Sequence, residues 1–275
     1  MTDISKLKKG ISLDFVGALC IESLAKCAQH GIDCVELSYG IDEFENKYRF
    51  AERACEYAEI AAEEGVEIWS LHLPCHHNLD VSSMNIDYRK RAMEAYEKLI
   101  CGAAAAGLKT IVMHGSGDNV SDEERPERLA YCKSNIALLN KFCQDLKMTF
   151  AVENLPRSCL CNTSAEAVEL LAASGTAVCF DTNHSLKESS EDFLSNIIAA
   201  GLRVGHLHIS DYDTTDSMHW LPGDGNINWQ KLLGLLENVG YDGPLIYEVR
   251  GRRNGGKIIL EELAENQQRL VQKLL

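Results

Sequence analysis

Ala177–Asp181, AVCFD, is an apolar run that spends its last position on a carboxylate. Four more segments are built the same way: Thr110–His114 (TIVMH), Thr149–Glu153 (TFAVE), Gly205–His208 (GHLH) and Leu245–Glu248 (LIYE). A buried strand that ends on an imidazole or carboxylate sets chemistry at one rim of a sheet. Repeated strand after strand, the pattern describes ligands converging on one point. Barrels of alternating strands and helices build their sites at the carboxyl ends of the parallel strands.

Outward from these segments the whole chain alternates. Short β-branched or aromatic runs fall at 11–14, 34–38, 67–73, 109–114, 148–153, 177–181, 203–209 and 245–249. Between them lie stretches with helical apolar spacing: Ile21–His30, Arg49–Glu64, Tyr88–Ala106, Glu127–Leu146, Ala165–Ala173, Phe193–Ala200, Trp229–Val239 and Ile258–Leu274. Glycine follows several of these helices, as at Gly31, Gly107 and Gly240, the usual left-handed stop. Eight of each in alternation predict an α/β fold, a single (β/α)8 TIM barrel, taking in residues 1–275 as one domain. No GxGxxG follows the first strand and no GxxxxGK[ST] occurs, which argues against a nucleotide-binding doubly wound sheet. The longest loops, 74–86, 115–126, 155–164 and 210–228, all follow strand ends, where a barrel keeps its substrate pocket.

The composition, 45% hydrophobic and 25% charged over 275 residues, is that of an ordinary globular protein with a large core. A net charge of -14 counts against nucleic acid as the main partner. No apolar stretch approaches the roughly 20 residues that span a bilayer, so no membrane partner is expected. The start, MTDISKLKKG, shows neither the apolar core nor the cleavage site of a secretory signal. The eleven cysteines are scattered among apolar neighbours, and Cys159, Cys161 and Cys75 form no paired CxxC framework. A reducing cytoplasm without disulfides is the expected setting.

Strand parity sets the ligand ring. Ala151 shares a face with Glu153, Cys179 with Asp181, His206 with His208 and Ile246 with Glu248, and the last of each pair reaches the mouth. Glu153, Asp181, His208 and Glu248 offer three carboxylates and one imidazole. That set suits one divalent ion, Mn²⁺, Mg²⁺ or Co²⁺, with Zn²⁺ as the alternative. Lone carboxylates at strand ends are ordinary caps or salt bridges, but four together in a barrel mouth are costly without a partner. Glu153 and Glu248, three strands apart in the ring, are the natural catalytic acid–base pair on either side of a substrate.

The phrases AVEN around Glu153, FDTNH from Phe180, HLHISD from His206, LPGDG from Leu221 and YEV around Glu248 resemble the xylose isomerase-like barrels, in order and in spacing. That group comprises sugar isomerases and epimerases and includes endonuclease IV. The resemblance runs from GIDCVEL (Gly31–Leu37) to YEV. It implies a metal-dependent carbohydrate isomerase or epimerase with a single divalent ion on Glu153, Asp181, His208 and Glu248, and His184 touching substrate. It also implies that homo-oligomers are common, although no sequence patch locates an interface. His72, His114, His184 and His219 match most of the extra ligands of endonuclease IV, but Ser217 stands where that family places an aspartate, and Asp216 is one step out of register.

His72 and His114 are expected as pocket walls bonding sugar hydroxyls, His219 and Trp220 as further lining, and His206 as a core histidine one layer beneath His208. His76 and His77 fall in a loop. Glu36, in CVELSY, either holds a substrate hydroxyl or makes a rim salt bridge. Arg250, with Arg252 and Arg253, either clamps an oxyanion or lies in a solvated turn. Trp69 and Phe15 read as core or pocket wall. The small-molecule partner is then a sugar, keto-sugar or polyol, converted by proton abstraction beside a metal-held carbonyl through an enediolate. The alternatives are a zinc phosphodiester hydrolase of endonuclease IV type, a lyase or dehydratase starting with the same proton abstraction, and a degenerate barrel kept for binding.

Overall fold

The computed structural model describes residues 2–13, 21–38 and 50–273. Phe15 lies outside them. Eight parallel strands close into a barrel in chain order. They are β1 (Lys9–Ser12), β2 (Cys34–Ser38), β3 (Glu67–His72), β4 (Thr110–His114), β5 (Thr149–Glu153), β6 (Ala177–Asp181), β7 (Val204–Ile209) and β8 (Leu245–Tyr247). Among the described residues the α-helices outside the barrel are α1 (Ile21–Gln29), α2 (Phe50–Glu63), α3 (Ile86–Ala105), α4 (Arg125–Asp145), α5 (Ser164–Leu171), α6 (Ser190–Ala199), α7 (Trp229–Asn238) and α8 (Leu260–Val271). The (β/α)8 barrel read from the sequence is the fold of the chain.

Local chemistry accounts for the boundaries. Side-chain caps start four helices: Asn85 accepts from the Asp87 N–H, Thr163 from Glu166, Ser189 from Asp192 and Asn228 from Lys231. At the far end of α3, Gly107 takes a φ of 80°, a conformation open to glycine at little cost. Two strands depart from expectation. β1 begins at Lys9 rather than 11, and β8 stops at Tyr247, which leaves Glu248 just past the ladder. The Glu248 N–H still donates to the Ile209 carbonyl at 3.1 Å, so the residue is held at the rim.

Alternation divides the strands between two cores. Phe150, Val152, Val178, Phe180, Leu207 and Ile209 belong to the large outer cluster shared with the helices. There Phe180 stacks on Phe193 of α6, with ring centroids 5.7 Å apart. Val112, Ala151, Ala177 and Cys179 form a separate small cluster inside the barrel. An eight-stranded barrel is just wide enough for its own side chains, and these small residues leave the space above them to larger polar groups. Pairing then levels the rim: His114 lies beside Glu153, and Asp181 beside His208 after a register shift between Val178 and Cys179. None of the described helices is long and apolar enough to cross a membrane.

Candidate metal centre

Glu153, Asp181, His208 and Glu248 come together at the mouth, each offering one ligand atom within 4.8 Å of the others. His208 is the hub. Its Nδ1 lies 3.2 Å from Glu153 Oε1, 3.1 Å from Glu248 Oε2 and 3.9 Å from Asp181 Oδ2. Asp181 is fully buried; its Oδ1 accepts from the Asn183 N–H at 2.6 Å, while its Oδ2 has no hydrogen-bond partner. Burial pushes its carboxyl up to about 7. Burial also opposes the charge on Glu248, but His208 and His219 outweigh it and hold that carboxyl near about 2.

A divalent cation fits this arrangement. Three carboxylates converge on one imidazole nitrogen in a buried mouth, and a buried carboxylate oxygen is left without a donor. A cation among them would satisfy the orphaned oxygen and offset the mutual repulsion. Cys179 stands one layer lower, beside Glu153 and His208. Burial pushes its thiol well above the ordinary value, so it stays protonated and the donor set remains one of oxygens and imidazole.

Glu153 is more than a ligand candidate. His72 Nε2 and His114 Nε2 approach its Oε2 at 3.0 and 3.1 Å, and His184 Nδ1 approaches its Oε1 at 3.2 Å. Burial works against its charge, yet His208 and His114 hold it well below the usual carboxylate range. Two surrounding rings take their orientation from backbone carbonyls: His72 Nδ1 bonds the Leu73 oxygen at 3.0 Å and His219 Nδ1 the Glu248 oxygen at 2.9 Å. His184 Nδ1 makes a third such bond, to Asn154 O at 2.9 Å. Burial lowers His219 to about 4, so with Nδ1 as its donor it carries a lone pair on Nε2, ready to accept from a hydroxyl or to bind a metal. Burial also opposes charge on His72 and His184, but Glu153 and Asp181 outweigh it and raise both to about 9, so both nitrogens of those rings are donors.

The remaining candidates divide. His219 is buried against His184, with ring centroids 5.2 Å apart, and adopts a left-handed φ of 50°. Trp220 is half-buried beneath the guanidinium of Arg253, 5.3 Å from the ring centroid. Arg250 is exposed, 3.8 Å from Glu248 Oε1, whereas Arg252 is engaged by Asp224 at 2.9 Å. His76 is half-buried and bonds Asn78 at 3.1 Å; His77 is exposed. Asp216 turns away from the ring to pair with Arg157 at 2.8 Å on the surface.

Glu36 does not stand at the rim, as its reading as a substrate-hydroxyl ligand required. It is the third of five residues in β2, two short of the strand end, so its side chain falls one layer down and is 1% exposed. There it meets His206, whose role as a buried residue beneath His208 is as the alternation implied.

Two buried residues shape the site without having been singled out. Asn154, next to Glu153, clamps β5 to β6: its Oδ1 accepts from the Asp181 N–H at 2.8 Å and its Nδ2 donates to the Asp181 carbonyl at 2.9 Å. Asp211 staples the long β7 loop. It accepts from the N–H groups of Tyr212, Gly223 and Ile227 and from Trp229 Nε1, at 2.8–3.2 Å. A Cβ on Gly225 would lie 2.2 Å from Asp211 Oδ1, which explains a glycine there. The AVEN, HISD and LPGDG phrases contain these residues, and their short polar side chains beside a ligand were the available signal.

Carboxylates and imidazoles gathered at the C-terminal mouth of a βα-barrel stand where barrels of this kind build their sites. The family model described as xylose isomerase-like TIM barrel matches residues 24–272, and the chain belongs to that family. It is 26% identical over 270 residues to an uncharacterized protein of Methanocaldococcus jannaschii, covering 94% of this chain and 90% of the other. It is also 26% identical over 249 residues to D-psicose 3-epimerase of Ruminiclostridium cellulolyticum, covering 84% and 78%. Among solved structures its fold is similar to a D-tagatose 3-epimerase-like protein, with TM-score 0.79, 24% identity and coverage of 98% and 97%. A D-psicose 3-epimerase in the presence of D-fructose gives 0.77, 21%, 97% and 98%.

Proposed function

We propose that this chain is a divalent-metal-dependent epimerase or isomerase of a small sugar. The observation that carries the reading is the ring of Glu153, Asp181, His208 and Glu248, three carboxylates on one imidazole nitrogen at the barrel mouth. The relatedness to D-psicose 3-epimerase supports a keto-sugar as substrate. Glu153, Asp181, His208 and Glu248 would hold the divalent ion, which would supply Lewis-acid polarisation of a carbonyl and its neighbouring hydroxyl and so make the α-proton easier to remove. Glu153, kept ionised by its histidines, takes the proton on one side of the substrate. Glu248, itself ionised in the metal-free chain, returns a proton on the other side once it has picked one up from solvent. His72, His114, His184 and His219 line the substrate pocket, with His219 accepting from a hydroxyl and His184 donating through Nε2, and Trp220 closes the pocket wall. Arg250, exposed at the rim, reaches toward substituents farther from the reacting carbon.

The test is deuterium incorporation from D₂O into ketohexoses and ketopentoses. Protein stripped of metal and reloaded with Mn²⁺, Mg²⁺, Co²⁺ or Zn²⁺ would be followed by proton NMR. Exchange at the α-carbon with a new epimer or aldose supports the proposal. Exchange accompanied by a dicarbonyl product moves it to a lyase, and no exchange with any metal sinks it. Phosphodiester hydrolysis is disfavoured because Asp216, the nearest replacement for the missing carboxylate at Ser217, is engaged by Arg157 outside the ring.

A further inference from the structure

Beneath the ring lies a second, fully enclosed polar cluster that the proposed chemistry does not use. Glu36 reaches across the barrel interior from β2 and ends under His208 of β7. Its Oε1 lies 2.9 Å from His208 Nε2, the nitrogen opposite the one that faces the three carboxylates. Its Oε2 accepts from Ser70 Oγ at 2.8 Å and from His206 Nε2 at 2.9 Å. Glu36, Ser70, His206 and His208 are each 0–1% exposed.

Hydrogen accounting gives this cluster a direction. Ser70 is within reach of both Glu36 and His206, so the carboxylate is the shared acceptor. His206 Nδ1 has no partner, a state tolerable for a lone pair and costly for a buried N–H; His206 therefore carries its hydrogen on Nε2 and gives it to Glu36. His208 Nδ1 donates to Glu153 Oε1 at 3.2 Å, whereas its Nε2 has no in-line partner among the described residues and lies 2.9 Å from Glu36 Oε1. A cation among Glu153, Asp181 and Glu248 would take the place of that Nδ1 hydrogen and leave the ring's one hydrogen on Nε2, against Glu36.

We propose that Glu36 is a positioning residue that stabilises the Nε2 hydrogen of His208 once Nδ1 has given up its own to a metal, and so keeps Nδ1 as the metal-binding atom, with Ser70 and His206 locking the carboxylate in place. The inference rests on the metal-centre reading and concerns affinity and tautomer; Glu36 touches no substrate. Carboxylates behind metal-bound histidines act this way generally, orienting the ring and raising its basicity, and their loss typically weakens metal binding about 10–100-fold.

The test measures Mn²⁺ affinity by titration calorimetry and electron paramagnetic resonance on the full chain, stripped and reloaded, for the parent, E36Q, E36D and S70A. Imidazole ¹⁵N shifts of the protein loaded with diamagnetic Zn²⁺ read the His208 tautomer directly, and the tautomer outcomes are those of that form. The expected results are one Mn²⁺ per parent chain and a dissociation constant raised roughly 10–100-fold in E36Q. Partial rescue is expected in E36D, with a rise of about fivefold in S70A, the worth of one hydrogen bond. His208 should report hydrogen on Nε2 in the parent and a mixture in E36Q. Should E36Q fail to fold, S70A and the parent tautomer decide the matter. A parent with hydrogen on Nδ1, or variants binding Mn²⁺ within twofold of the parent, overturns the role of Glu36 while leaving the metal centre intact. A parent that binds no divalent ion overturns the metal centre and this inference with it.

Discussion

Asp181→Asn should have opposite effects with and without metal. The substitution keeps Oδ1 as acceptor for the Asn183 N–H and removes only the charge on the orphaned Oδ2 side. In the metal-free chain that charge is a burden, because burial raises the carboxyl from 3.8 to about 7. The folded value lies above the unfolded one. The penalty is therefore absent below the unfolded value, grows as pH rises between the two, and is complete above about 7. About three pH units at 1.36 kcal/mol each set a ceiling of roughly 4 kcal/mol. Interior relaxation brings the effective figure to about 2 kcal/mol, since real sites behave as if more polarisable than a dry interior. For a chain of this size that is an increase in Tm of about 4–8 °C for metal-free D181N at pH 8, shrinking toward zero near pH 4. With Mn²⁺ present the sign reverses. One charge-assisted ligand contact of about 1.5–3 kcal/mol is lost, so the dissociation constant rises roughly 10–150-fold. Differential scanning calorimetry in chelator at pH 4 and pH 8, paired with Mn²⁺ titration at pH 8, measures both. A metal-free variant no more stable than the parent at pH 8 would falsify the picture of a carboxylate ring strained without its cation.

Three further outcomes follow from particular contacts. Glu153→Gln should lower deuterium exchange about 10²–10⁴-fold, the range for a lost general base, with the circular dichroism spectrum of the parent; exchange within threefold would remove Glu153 from the chemistry. Asp211→Asn turns amide hydrogens toward some of the four donors that Asp211 now satisfies, and should cost about 2–4 kcal/mol in urea unfolding; unchanged stability would mean the β7 loop does not depend on this staple. Phe180→Ala empties the stack on Phe193 between β6 and α6 and should cost about 3–5 kcal/mol, again by urea unfolding, with metal binding retained.

The fold was legible because its signal is local and repeated. A run such as TFAVE or AVCFD announces a strand by composition, and flanking helices announce themselves by period, so eight repeats reinforce one another. The mouth residues were legible for a related reason. The pleat alternates strictly, so a polar residue two positions after an inward small one must reach the rim, as with Ala151 and Glu153 or Cys179 and Asp181. Glu36 escaped that logic because no neighbouring phrase marks where β2 ends; two further residues, Leu37 and Ser38, put it one layer down. Asn154 and Asp211 were in view as letters of longer phrases, but their partners lie 27 residues and up to 18 residues away.

By itself, then, the sequence determined the barrel, the strand ends and the chemical character of the ring, since periodicity and residue type act over a few neighbours. Only the tertiary structure decided which nitrogen of each histidine faces which oxygen, that Asp181 carries an unanswered oxygen, and that Glu36 stands behind His208 rather than before the substrate. Those facts depend on closure of the barrel, which brings β2 across to β7 and sets angstrom distances between residues 172 positions apart, and no local rule of propensity or alternation contains that geometry.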